Sequence, residues 1–179
     1  MKVFFAKHGQ IPSTGEMRIT IEDEGLSKAG IIEATMAARD LRMKLEGSSL
    51  CTIISSPRKR ALETAEICAE QHGLNLKDIE VDARLLERDC TAYAGQLIGD
   101  VFSKPEKELV DGGMESLDSI YIRTQSFYDF LISRDTSGAV LIVGHSGNLL
   151  PLTGIFDGKW LNVSGNEPQL SRNKVLQLK

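Results

Sequence analysis

Apolar residues along this chain fall into short unbroken runs separated by longer stretches of helical periodicity, an alternation that predicts an α/β fold with a mostly parallel sheet. Val3-Phe4-Phe5-Ala6 has the β-branched and aromatic content of a buried strand and stops at Lys7-His8-Gly9. Ser27 predicts the cap of a helix running to about Glu46, with Ile31, Ile32, Met36, Leu41 and Leu45 as its apolar face and Gly47 ending it. Cys51-Thr52-Ile53-Ile54-Ser55 reads as a second strand. Ser56 and Pro57 then predict the cap and first residue of a second helix, which Gly73 closes after His72. A strand around Ile79 to Val81 leads into a stretch from about Asp89 to Gly113 whose glycine, proline and mixed polarity predict irregular structure. A helix from about Ser116 to Ser133 precedes Ala139-Val140-Leu141-Ile142-Val143, a continuous run that predicts a fully buried strand. Lys174 to Leu178 predicts an edge strand. The sum is one three-layer α/β/α domain over residues 1–179, with a central sheet flanked by helices and 89–113 as a lid or specificity segment.

Composition narrows the function classes. A formal net charge of -4 and a pI near 5.4 argue against sequence-independent nucleic-acid binding, which needs a basic stripe. No apolar run approaches a membrane span, and the first residues lack the pattern of a secretory signal, so the expected address is the cytoplasm. Cys51, Cys68 and Cys90 lack C-x-x-C spacing and are expected as reduced thiols, at least two of them buried. The three histidines show no metal-binding spacing, and neither a metal nor another cofactor is expected. Exposed apolar positions fix no oligomeric state.

Candidate chemistry sits where strands end. His8 follows the first strand, and His145 follows the last parallel one in Gly144-His145-Ser146-Gly147. Ligands of open α/β sheets bind outside the carboxyl ends of the strands, so these histidines can converge over one crevice. Arg60 falls in the first turn of the second helix, where a guanidinium can grip two oxygens of an anion with the helix N-terminus behind it. Each residue also has an ordinary reading. Singly, His8 or His145 is a satisfied strand-end residue, and His72 complements a helix C-terminus. Arg58 and Lys59 form a solvated face or, as the alternative, one of them screens the pocket; Arg88 pairs with Glu87 at the surface, and Glu115 caps the helix after it. Only the set points to phosphate chemistry.

In order along the chain, Lys7-His8-Gly9, Ser55-Ser56-Pro57-Arg58-Lys59-Arg60-Ala61-Leu62-Glu63-Thr64-Ala65, Leu86-Glu87-Arg88, Gly113-Met114-Glu115-Ser116 and Gly144-His145-Ser146-Gly147 resemble the motifs of the histidine phosphatase superfamily, the phosphoglycerate-mutase-like group. The resemblance runs from about Val3 to Ser146. It implies His8 as the nucleophile that holds the phosphoryl group as a phosphohistidine. It implies Arg60, Lys7, Thr14 and Ser146 as phosphate ligands and His145 as a donor to the same oxygens. Glu87 matches the acid that protonates the leaving oxygen and then activates water. The implied partner is a small phosphorylated substrate or phosphate ion.

Two departures matter. Lys7 stands where the family motif has arginine, keeping the charge but losing the planar fork, with charged hydrogen bonds of roughly 1.5–3 kcal/mol each at stake. Thr14 stands where asparagine is common, and Arg18 and Thr20 fall near positions that often face substrate. Three functional readings follow. The first is a phosphatase of a small metabolite or of a phosphorylated protein side chain. The second, motivated by Lys7, is a catalytically impaired phosphate-ligand binding or regulatory module. A phosphoglycerate-type mutase comes last.

Overall fold

Five strands form one sheet: β1 (Lys2–Lys7), β2 (Leu50–Ser55), β3 (Ile79–Val81), β4 (Ala139–Gly144) and β5 (Val175–Gln177), in the spatial order β3-β2-β4-β1-β5. The computed structural model describes residues 1–20, 22–134, 137–158 and 170–179. Neighbouring strands run parallel except β5, which pairs antiparallel with β1 at the edge. Helices α1 (Lys28–Leu45) and α2 (Lys59–His72) cover one face, and α5 (Leu117–Ile132) and α6 (Ser146–Phe156) cover the other. With a helical layer on each side, every residue of β4 is buried. Alternation in β1 serves both layers: Phe4 and Ala6 pack with Leu41 and Ala65, whereas Val3 and Phe5 join Phe127 and Leu152. The expected three-layer α/β/α architecture with a mostly parallel sheet is the observed one.

The helix faces depart from expectation in instructive ways. Ser27 does cap α1, accepting from the Gly30 amide, and Glu46 and Gly47 end it in the left-handed region. Leu41 and Leu45 are buried, but Ile31, Ile32 and Met36 are exposed, and Ala34, Ala37 and Ala38 face the sheet instead. Small residues win that face because α1 lies very close to the loop after β1. A Cβ at Gly30 would strike the Gln10 carbonyl, and one at Gly9 would strike the Gly30 carbonyl. Gly30→Ala is therefore expected to destabilise the protein by about 1–3 kcal/mol, the usual penalty of overpacking. An unchanged urea midpoint would contradict that contact.

Ser56 and Pro57 precede α2 and do not begin it. The helix starts at Lys59 with Arg58 in the cap position and no side-chain cap; the Ser56 hydroxyl lies before that position, where it accepts from the Arg58 amide at 3.4 Å and bonds His145. Gly73 closes α2 in the left-handed region, as expected. His72 is paired with the Ala38 carbonyl at 3.0 Å, and burial lowers its pKa, so it pins α2 to α1 as a neutral ring and not as a cation on the dipole. Of the cysteines only Cys68 is buried; Cys90 is half-buried and Cys51 takes the exposed side of β2, which corrects the expectation of two buried thiols.

The 89–113 stretch is more ordered than its composition suggests. It holds a 3₁₀ turn at Thr91–Tyr93 and two short helices, α3 (Ile98–Phe102) and α4 (Glu106–Asp111). Tyr93, Val101 and Leu109 pack with Ile19 and Met114 in a third small core. Helices this short fall below the window in which periodicity can be read. Helix α6 had no sequence signal either. It carries Gly147, Pro151 and Gly154, all poor helix formers, and holds because Leu149, Leu152 and Ile155 are buried. Among the described residues, no helix is long and apolar enough to cross a membrane.

Candidate active site

Strand register sets the centre of the site. Lys7 pairs with Gly144 across β1 and β4, so the next residues, His8 and His145, leave adjacent strands at the same level. Their rings lie 5.1 Å apart at 61°, edge toward face, and both are buried. Arg60 bridges them from the first turn of α2. Its Nε is 3.1 Å from His8 Nε2, and its Nη2 is 3.4 Å from His145 Nδ1.

Those contacts assign the tautomers. His8 Nδ1 lies 2.8 Å from the Gly9 carbonyl, which can only accept, so Nδ1 carries the proton and Nε2 presents its lone pair to Arg60. In His145 the guanidinium-facing Nδ1 is the acceptor, and Nε2–H donates to Ser56 Oγ at 2.8 Å. Burial pushes His8 down to about 3, helped by the charges of Arg60, Lys7 and Arg172 against the opposing bond to Gly9. Burial, then the neighbouring His8, Arg60, Arg58 and Arg123, pushes His145 well below its usual value. Both rings are thus neutral at neutral pH. The 3.8 Å approach of Glu87 Oε2 to His145 Nδ1 is accordingly a contact between a carboxyl group and a neutral ring.

Glu87 reaches the pair from the segment beyond β3. Its Oε1 accepts from the Gly147 amide at 3.0 Å and from its neighbour Arg88 at 3.1 Å. A Cβ on Gly147 would collide with that oxygen, so glycine is what lets the carboxylate sit against the start of α6. Burial raises the Glu87 pKa, opposed by the amides of Arg88 and Gly147 and by the charges of Arg60 and Lys7.

Four residues hold this centre that the sequence reading did not single out for the task. Thr64 Oγ1 accepts from the Gly9 amide and donates to the Arg60 carbonyl, tying the His8 loop to α2. Asn148 is fully buried, accepting from the His145 amide and donating to the Leu86 carbonyl. Ser56 bonds His145, and Glu33 accepts from the Gln10 amide at 2.7 Å. Thr64 and Ser56 lay inside a quoted motif; for Asn148 and Glu33 the sequence offered no signal.

The remaining candidates divide. Thr14 and Ser146 line the cavity over the histidines, as do Arg18 and Thr20, although Thr14 Oγ1 already accepts from the Ile11 amide. Lys7 is half-buried at the end of β1, where its charge is felt by His8 and Glu87. Arg58 lines the cavity and is no part of a solvated face, unlike exposed Lys59. Arg88 is not paired with Glu87 at the surface: its side chain is 9% exposed and grips both Glu106 oxygens at 2.8 Å. Glu115 holds Arg123 and the Asp89 amide, while Ser116 caps α5. Among the described residues no cluster could hold a metal ion.

Two buried neutral histidines make the fold acid-labile. The unfolded chain binds protons below pH 6.5 that folded His8 does not take until about 3, so stability is full above that window and falls as pH drops through it. For His8 alone the loss by pH 4.5 is about 3 kcal/mol, and the raised Glu87 works against it. Urea unfolding at neutral pH and pH 4.5 is expected to show a shallower loss in His8→Ala. Equal slopes would mean that His8 titrates normally.

An arginine set between two strand-end imidazoles, over the carboxyl ends of a parallel sheet, defines a histidine-centred pocket on an α/β fold. The chain matches the Histidine phosphatase superfamily (branch 1) over residues 3–161 and belongs to that superfamily. It is 33% identical over 135 residues to Phosphoserine phosphatase 1 of Hydrogenobacter thermophilus, covering 69% of this chain and 60% of that relative. Among solved structures, Bacillus stearothermophilus YhfR has a TM-score of 0.80 at 23% identity, covering 97% of this chain and 88% of that one. A mycobacterial glucosyl-3-phosphoglycerate phosphatase complexed with VO3 has a TM-score of 0.70 at 24% identity, covering 87% and 81%. Both share the fold.

Proposed function

We propose that this protein hydrolyses the phosphomonoester of a small metabolite through a phosphohistidine on His8. The observation that carries the reading is the lone pair of His8 Nε2, fixed by the Nδ1 contact to Gly9 and aimed at Arg60. The superfamily and the relative named for phosphoserine support the substrate class.

In the first step Nε2 attacks phosphorus and the P–O ester bond breaks as N–P forms. Arg60 turns its donors from the imidazoles to the phosphoryl oxygens, which carry the charge of the transition state. That move vacates His145 Nδ1. The neutral ring then exchanges its Nε2 proton with water for one at Nδ1, so that Nδ1–H donates to the same oxygens while Nε2 accepts a hydrogen bond from the Ser56 hydroxyl, which can donate as well as accept. Glu87, its pKa raised by burial, gives its proton to the leaving oxygen through the open Oε2. Water then attacks the phosphohistidine, passes a proton to the Glu87 carboxylate and releases phosphate. Lys7, Thr14 and Ser146 complete the phosphate shell in this reading. The ordered 89–113 stretch serves as the specificity lid of a single domain.

The test is phosphate release from a panel of small esters, with trapping of an acid-labile phosphoenzyme, on the wild type and Lys7→Arg. Turnover that rises in Lys7→Arg supports a working phosphatase with a weakened clamp. Tight phosphate binding without turnover in the wild type supports the binding-module reading, which Lys7 motivates. No phosphoenzyme and no hydrolysis in either protein would refute the proposal.

A further inference from the structure

Five arginines line the cavity: Arg18, Arg58, Arg60, Arg88 and Arg172. Three of them are engaged. Arg18 donates to the Gly95 carbonyl, Arg60 bridges the histidines, and Arg88 holds Glu106 and the Glu115 carbonyl. Arg58 and Arg172 differ. The Nε of each is buried without a hydrogen-bond partner, and among the described residues neither guanidinium joins an ion pair.

A guanidinium cannot shed its charge, and a buried donor left unsatisfied carries the full penalty of its lost hydration. Two such groups on the wall of one cavity therefore stand ready for an anion. The neighbouring carboxylates do not serve. Glu87 Oε1 is held by two amides, Asp89 accepts from the amide and hydroxyl of Thr91, and Glu22 and Asp118 are exposed. The pair also approaches the centre from separate parts of the chain. Arg58 leaves the residue before α2, and its charge is felt at Arg60, His145 and Asp89; Arg172 follows α6, and its charge is felt at His8. At about 870 Å³, the cavity has room for far more than a phosphoryl group.

We propose that Arg58 and Arg172 bind a second anionic group of the substrate, so that the preferred ester carries a carboxylate or a second phosphate a few bonds from its ester oxygen. This rests on the phosphomonoesterase reading and narrows its substrate class.

Ester pairs that differ in one charged group test it. O-phosphoserine against O-phosphoethanolamine isolates a carboxylate, and fructose 1,6-bisphosphate against fructose 6-phosphate isolates a second phosphate. The wild type is expected to prefer the more anionic member of one pair by about tenfold or more in kcat/KM, the scale of one charged hydrogen bond. Arg58→Met and Arg172→Met should each shrink that preference about tenfold, and lysine at either position should restore part of it. Because the preference is a ratio within one preparation, partial unfolding of a variant cancels. The same pairs titrated calorimetrically into His8→Ala read the subsite without turnover. A binding preference that Arg58→Met abolishes, in a protein whose wild type hydrolyses nothing, would keep the subsite and reject the hydrolase. No preference in binding or turnover, or equal losses for both members of a pair, would overturn the inference.

Discussion

His8→Ala is expected to lower ester turnover by at least about three orders of magnitude, because in the proposed mechanism it removes the atom that takes the phosphoryl group. In that mechanism Arg60 and His145 remain to bind phosphate, so the loss should fall on kcat with KM much less affected. The variant should yield no acid-labile phosphoprotein. It should also fold, since the lost ring was a buried neutral imidazole whose removal relieves acid sensitivity. Turnover within tenfold of wild type would show that phosphorus is attacked directly by water, and the covalent route would have to be abandoned.

Arg60→Ala carries the second large effect. In the proposed mechanism the side chain donates to two oxygens of a bound phosphoryl group, and two charge-assisted bonds at roughly 1.5–3 kcal/mol each correspond to about 10²–10⁴ in kcat/KM. The pH profile supplies a second readout. After burial, the Arg60 charge is the next contribution to holding His8 deprotonated, so its removal raises the His8 pKa. Protonation then silences the nucleophile at higher pH, and the acid limb of kcat/KM should move upward. Arg60→Lys, which keeps the charge but not the fork, should hold the acid limb near its original position while recovering only part of the rate. A loss below tenfold with an unmoved acid limb would place Arg60 outside the phosphate clamp.

The strands and the strand-end histidines were readable because both depend on local composition: unbroken β-branched runs, then glycine. Convergence of His8 and His145 followed from the general rule for parallel sheets and needed only the pairing of Lys7 with Gly144 to become specific. Other features depended on partners remote in sequence. Ile31, Ile32 and Met36 have helical spacing, yet the close approach of Gly9 to Gly30 gave the inner face of α1 to alanines. Ser56 has the sequence of a helix cap, but its hydroxyl is shared between the Arg58 amide and a histidine 89 residues away, and the helix starts later. Arg58 reads as a surface charge or a screen of the pocket, and only the cavity wall decides between the two. Helix α6 breaks the propensity rules and persists through burial of Leu149 and Leu152.

Placing the two histidines at one level, at the ends of the neighbouring strands β1 and β4, has a consequence for how the protein comes to life. These strands lie far apart along the chain, with β2, β3 and helices α1 to α5 between them, so no segment lacking either strand can assemble the pocket. A one-residue slip between these strands would turn one imidazole to the opposite face of the sheet. The proposed esterase activity would thus report completed, in-register folding stringently, and it should return during refolding only with the last cooperative phase, after helix formation is already visible by circular dichroism.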